Sequence, residues 1–181
     1  MVDLALLQSV SYMAGALGVC VAALSFASNM RATTKNRKIT QTNELLKFFL
    51  TLESQKIYYE LMEMEWTNYD DFEKKYGTDT GEEGITNCAK RNVFWYSYDT
   101  IGRQLKSGLI DRETLYGAVG IYAAWMWTKF KPIIYEQRRR YVGSDELEGL
   151  EYLAGEMLEM KRERDPIYRV PEGFSKYVPG K

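Results

Sequence analysis

The 181-residue chain contains no histidine, two cysteines and four prolines. Each scarcity removes chemistry. Without histidine there is no Ser–His or Cys–His nucleophile pair. There is also no histidine-ligated zinc, copper or haem, and no Glu-x-x-His motif of the kind that builds di-iron sites inside helical bundles. Two cysteines cannot form an all-cysteine zinc site or an iron–sulfur cluster within one chain. Cys20 lies in the most apolar stretch and Cys88 far from it, with no CxxC, so no disulfide framework is expected. Glycine-rich phosphate cradles of the dinucleotide or P-loop type are absent too.

Charge of either sign is missing between Asp3 and Arg31. Leu4 to Asn29 is an uncharged run of 26 residues, mostly Leu, Ala, Val, Gly and Ser. At about 1.5 Å per residue, a helix of that length exceeds the roughly 30 Å hydrocarbon layer of a bilayer. Lipid leaves backbone groups no partner outside the segment, so a helix is required. A secretory signal would open on basic residues with a shorter apolar run. Here the start is Met-Val-Asp, and the cleavage-like Ser25-Phe26-Ala27 has the wrong flanks. A buried core helix is the other rival. Arg31, Lys35, Arg37 and Lys38 follow the segment while no basic residue precedes it, which places the C-terminal side in the cytoplasm and those four charges at anionic headgroups. Within the run, Ala14, Gly18 and Ala22 recur every four residues beside Ser11 and Gly15. Small residues at that spacing form a groove where a second membrane helix can approach.

Asp3 supplies the net charge of −1, and beyond the anchor the charges cancel in blocks: +4 over 31–52, −7 over 53–83, +6 over 84–142 and −3 over 143–181. Alternating blocks attract one another when helices fold back, or present a patch to a charged partner. The triplet Arg138-Arg139-Arg140 suits pairing with the acidic block or a helix C-terminus better than nucleic acid, because the sequence pI is about 5.7.

Apolar spacing predicts four helices. The first spans about Thr40 to Trp66 through Leu46, Phe49, Leu50, Ile57, Leu61 and Met64, and the second Thr86 to Ser107 through Phe94, Tyr98, Ile101 and Leu105, stopping at Gly108. The third starts after an Asp111 N-cap, meets Pro132, which kinks or ends it, and closes at Gly143. The fourth starts at Ser144. Asp70 to Tyr76 can add a short turn. Leu115 to Trp127 is uncharged but, at 13 residues, short for a second span and better suited to a core. No strand pattern or repeat is evident. From Asp165, Pro166, Pro171 and Pro179 rule out a long helix. The apolar Ile167, Tyr168, Val170, Phe174, Tyr177 and Val178 make this segment either a loose tail or an extended strap.

Candidate acids are few. Glu60, Glu63 and Glu65 read as the wet side of a helix, and Asp79, Glu82 and Glu83 as a solvated acidic loop lacking EF-hand spacing.

Four stretches carry a family resemblance: Met30-Arg-Ala-Thr-Thr34, Asn92-Val-Phe-Trp-Tyr-Ser-Tyr98, Leu105-Lys-Ser-Gly-Leu-Ile-Asp111, and Trp125 through Lys131 before Pro132. With them, roughly Leu4 to Met160 resembles a family of small bacterial and archaeal proteins of unknown function. In that family one N-terminal membrane helix precedes a cytoplasmic helical domain. The resemblance implies that layout and carries over no catalytic residue.

The expectation is therefore an all-α chain. Residues 1–30 form a transmembrane anchor, 31–164 a cytoplasmic bundle of about four helices, and 165–181 an extended tail. The anticipated role is a single-pass cell-membrane protein-interaction module, an accessory or structural subunit of a membrane complex. Its partners would be the lipid bilayer and another transmembrane helix, from a second copy or another subunit, and not nucleic acid. No catalytic, cofactor-binding or metal-ligating residue is expected. A ligand-binding regulatory module using the aromatics, and a carboxylate-dependent membrane enzyme, are the alternatives.

Overall fold

A computed structural model describes residues 4–171 and residue 173, with side chains throughout except at 4–6, 35, 38, 41, 45 and 142. Phe174, Tyr177 and Val178 of the tail lie outside the described residues. The described chain is helical without strands. Its elements are α1 (Leu4–Phe49), α2 (Leu52–Glu63), α3 (Tyr69–Tyr76), a 3-10 turn (Thr78–Thr80), α4 (Glu82–Lys106), α5 (Arg112–Ala118), α6 (Tyr122–Gln137), a π turn (Arg138–Val142) and α7 (Glu148–Arg164). Contacts divide it into two units, Met1–Asn43 and Glu44–Lys181.

The first unit is helical throughout its described part. It holds the one helix among the described residues long and apolar enough to cross a membrane, Leu7–Thr34, with mean hydropathy 1.8 and none of its apolar window buried. Leu7, Met13, Leu17, Val21, Leu24 and Phe26 are all exposed, so the helix is apolar on every side.

The second unit has a continuous core with fully buried Leu61, Phe72, Leu115, Met126, Phe130, Ile134, Leu150 and Met157. The expected count of four helices is too low, and each extra break has a local cause. The predicted first helix is cut at Leu50–Thr51. There Thr51 adopts extended backbone and its hydroxyl accepts a hydrogen bond from the Ser54 amide (3.1 Å), which starts α2 afresh. The third is cut between α5 and α6, where Gly120 takes a positive φ of 51°. Pro132 does not end α6, which runs on to Gln137. Phe130, Ile133 and Ile134 are buried on either side of it, and their packing offsets the roughly 3 kcal/mol that an interior proline costs. Leu115, Val119, Ala123, Ala124 and Met126 are buried in this core, which accounts for the short uncharged run.

Other local expectations match. Gly108 (φ 71°) ends α4 with a Schellman pair, Leu109 N–H to the Gln104 carbonyl (3.0 Å) and Gly108 N–H to that of Leu105 (2.9 Å). Asp111 caps α5 by accepting from the Thr114 amide (2.8 Å). Gly143 closes the π turn.

The fourth predicted helix starts later than Ser144, at Glu148, beside a close helix crossing. Gly102 of α4 crosses Gly149 of α7 so tightly that a methyl on Gly102 would overlap the Gly149 carbonyl. Leu147, in left-handed backbone (φ 58°), provides no side-chain cap for α7. The cap comes from α4: buried Asp99 accepts from the Gly149 amide (2.7 Å) and the Leu150 amide (3.2 Å), and its other oxygen from Arg103 Nε (2.7 Å).

The charge blocks meet between helices. Lys90 pairs with Glu60, Arg140 with Asp70, Lys106 with Glu148, Arg112 with Glu163 and Arg138 with Glu151. The arginine triplet is thus engaged within the unit, and Arg139 and Arg140 hold the Glu136 carboxyl down at about 2. Glu82 and Glu83 open α4, where its dipole favours them. Glu60, Glu63 and Glu65 are exposed. In the described tail, Tyr168 accepts a hydrogen bond from Trp125 Nε1 (2.7 Å) and lies under Lys161.

Candidate functional site

Two features stand out, one in each unit. On α1, Ser11, Ala14, Gly15, Gly18 and Ala22 fall at i, i+3, i+4, i+7 and i+11 and so share a face. All five are exposed, and a Cβ built on Gly15 or Gly18 would meet nothing within 4 Å. The Ser11 hydroxyl donates to the Leu7 carbonyl (2.9 Å), which satisfies it within the helix, as an apolar surrounding requires. Arg31 and Arg37 are exposed. Lys35 and Lys38 lie on the same helix, with side chains outside the description.

In the second unit, an aromatic pocket of about 230 Å³ is walled by the rings of Phe49, Tyr58, Phe94, Tyr98 and Tyr122, with Gln55 beside them. Leu50, Ala118 and Val119 complete it. The walls come from the end of α1 and from α2, α4, α5 and α6, so residues far apart in sequence converge. Phe49 stacks on Tyr98 with centroids 4.6 Å apart, and Tyr58 meets Tyr122 edge-on at 5.5 Å. The Tyr58 hydroxyl donates to the Tyr122 carbonyl (3.2 Å) and Gln55 Nε2 to the Phe49 carbonyl (2.6 Å). Tyr98 is only 2% exposed. No charged side chain lines the pocket, so it offers no acid–base pair.

Burial, followed by neighbouring tyrosines, pushes the hydroxyls of Tyr58 and Tyr98 well above the ordinary tyrosine range. Both stay protonated donors at any physiological pH. Their folded values lie above the unfolded value of about 10, so the linked stability is complete below that pH and drains away as pH rises through it. Spectrophotometric titration of tyrosinate is expected to leave these two silent until the domain unfolds in alkali. Full ionisation of all 14 tyrosines with near-UV circular dichroism unchanged would contradict this.

Two buried cations lie outside the pocket lining. Lys129 of α6, 2% exposed, donates to the carbonyls of Met62 and Met64 (both 2.6 Å) at the end of α2 and lies over the Trp66 ring. Arg91 donates to the Tyr76 carbonyl (2.9 Å) at the end of α3 and covers Phe72. The last turn of α2 carries no basic residue of its own, so Lys129 provides the charge its dipole favours.

Sequence reasoning placed Phe94 and Tyr98 on the apolar stripe of one helix but did not join them with residues of other helices into a pocket, and it passed over Asp99 and Lys129. A signal existed for both. Lys129 shares the helical register of Met126 and Ile133, and Asp99 that of Trp95 and Gly102.

The chain matches no family model, no curated protein and no solved structure.

Proposed function

We propose that this is a membrane-anchored protein-interaction module, an accessory or structural subunit of a membrane complex. In this reading α1 crosses the cell membrane once and residues 44–181 form a cytoplasmic domain. The observation that carries it is the wholly exposed apolar surface of Leu7–Thr34. An apolar surface on every side of a helix needs lipid or a partner rather than water. Those 28 residues span about 42 Å at 1.5 Å each, longer than the hydrocarbon layer and compatible with tilt. The basic residues from Arg31 onward set the orientation. The small-residue face from Ser11 to Ala22 offers the approach surface for a second helix.

The two native cysteines make the anchor testable without mutation. Cys20 lies inside the apolar stretch and Cys88 in the second unit. The full-length protein should stay in the pellet after alkaline carbonate washing. An impermeant maleimide should label Cys88 in inverted vesicles but not in intact cells, and Cys20 in neither. Recovery in the soluble fraction would end the membrane reading. Blue-native electrophoresis in mild detergent should give a discrete species larger than the monomer, and a clean monomer with no co-purifying chain would end the interaction reading.

A further inference from the structure

Helix α4 is apolar on two sides, and the core accounts for only one of them. Phe94, Trp95, Tyr98, Ile101 and Leu105 pack inward. On the opposite side, every exposed residue between Gly84 and Gly102 is uncharged. Ile85, Ala89, Val93, Tyr96 and Thr100 run along that side at helical spacing, with Asn92 beside them. The side chains of Ile85, Val93 and Tyr96 stand about half exposed. A surface helix normally turns charge to water there. The nearest cation turns away from the stripe, since Lys90 pairs with Glu60 of α2. The Tyr96 hydroxyl donates to Glu146 (2.6 Å), which holds the ring in one place.

The stripe complements itself when reversed. Exposed Glu82 stands at its first end and exposed Arg103 at its last. Arg103 uses its Nε on Asp99 and its side chain remains half exposed. A second copy laid antiparallel, with its Arg103 level with Glu82, pairs opposite charges at both ends. The same register sets Ile85 level with the copy's Thr100, and small Ala89 level with the copy's large Tyr96. Each of these contacts occurs twice, because the interface is isologous. Asn92 and Val93 then lie at the twofold axis, each beside its own copy. A pair of asparagine amides there is a polar contact of the kind that fixes register. Parallel pairing would instead put Glu82 on Glu82 and Arg103 on Arg103.

We propose that the exposed face of α4 docks a second copy of this chain, antiparallel, across a twofold axis at Asn92 and Val93. This surface is distinct from the small-residue face of α1. It does not depend on the membrane reading, because α4 lies wholly in the second unit. One helix pair is a small contact beside the roughly 1,200 Å² of a stable interface, so covalent capture reads it better than co-elution.

Disulfide trapping tests it in the full-length protein, in mild detergent, with Cys20→Ala and Cys88→Ser removing the native thiols. Asn92→Cys, at the axis, should give a covalent dimer on oxidation with copper phenanthroline. Ile85→Cys alone and Thr100→Cys alone should not, because each would lie roughly 22 Å along the helix from its own copy, beyond the reach of a disulfide. The Ile85→Cys/Thr100→Cys double variant should dimerise, and the same spacing within one helix means that its bond joins two chains. Ala89→Glu, added to Asn92→Cys, sets a carboxylate against the copy's Tyr96 and should cut the dimer about tenfold. Position 89 is exposed and glutamate is a good helix former, so near-UV circular dichroism should not change. Should that variant fail to fold, Val93→Lys on the same stripe takes its place. No dimer from Asn92→Cys, equal yields from all three single variants, or a yield indifferent to Ala89→Glu would overturn the proposal. A dimer held by α1 alone would give the last two results, so this inference and the reading of α1 fail separately.

Discussion

Gly102→Ala will destabilise the helical domain by about 3 kcal/mol, whereas Gly155→Ala will stabilise it by about 1 kcal/mol. Both glycines are interior to helices, and alanine is the better helix former at each. What differs is the space beside them. A methyl at Gly102 would overlap the backbone carbonyl of Gly149 on α7, and a carbonyl in a helix cannot rotate aside as a side chain can. The two helices must separate, which opens the core around Ile101 and Leu150 and stretches the bonds from Asp99 to the start of α7. At Gly155, exposed on the same α7, a methyl meets nothing within 4 Å, so only the gain in propensity is left. Urea denaturation in mild detergent, followed by near-UV circular dichroism, measures both. Equal effects at the two sites would show that helix propensity outweighs the crossing.

The second large effect is expected at Lys129→Met, a loss of about 3 kcal/mol. Methionine fills nearly the same volume, so little of that loss comes from packing. It arises at the end of α2, where the carbonyls of Met62 and Met64 would face an apolar chain in the buried interior. Removing the ammonium also removes the cost of burying a charge, which partly offsets the loss and keeps it from being larger. Lys129→Ala should cost more, because the emptied stem leaves a cavity beside Trp66 and Phe130. The same denaturation measurement applies, and a Lys129→Met protein as stable as the parent would mean those carbonyls find other partners.

Much of the second unit was readable because its signals are local. Gly108 ends α4 and Asp111 starts α5 through contacts within a few residues. The stripe of Phe94, Tyr98, Ile101 and Leu105 is a matter of helical period alone. The breaks at Thr51 and Gly120 were missed although both residues favour them, because the apolar spacing carries on across each break. Pro132 was expected to kink or end its helix; α6 does not end there, and the burial of its neighbours offsets the local cost of the proline.

The residues of the pocket and the caps were not readable as sites. Tyr58, Tyr98 and Tyr122 sit on three different helices, and nothing in their spacing says that they face one another. Asp99 resembled any polar residue on a helix until its carboxylate was seen to cap α7, fifty positions away.

The sequence by itself determined the all-helical class, the long uncharged segment with its flanking charges, the stops and starts at Gly108 and Asp111, and the opposed charge blocks. These follow from hydrogen-bonding capacity, periodicity and Coulomb attraction, which act between near neighbours or over whole segments. Only the tertiary structure decided that α4 and α7 cross at two glycines, that Asp99 and Lys129 finish helices other than their own, and that five rings enclose one pocket. The physical reason is that a helix end or a ring face can be satisfied by any suitable group within reach, and reach is set by how the helices pack rather than by their order in the chain.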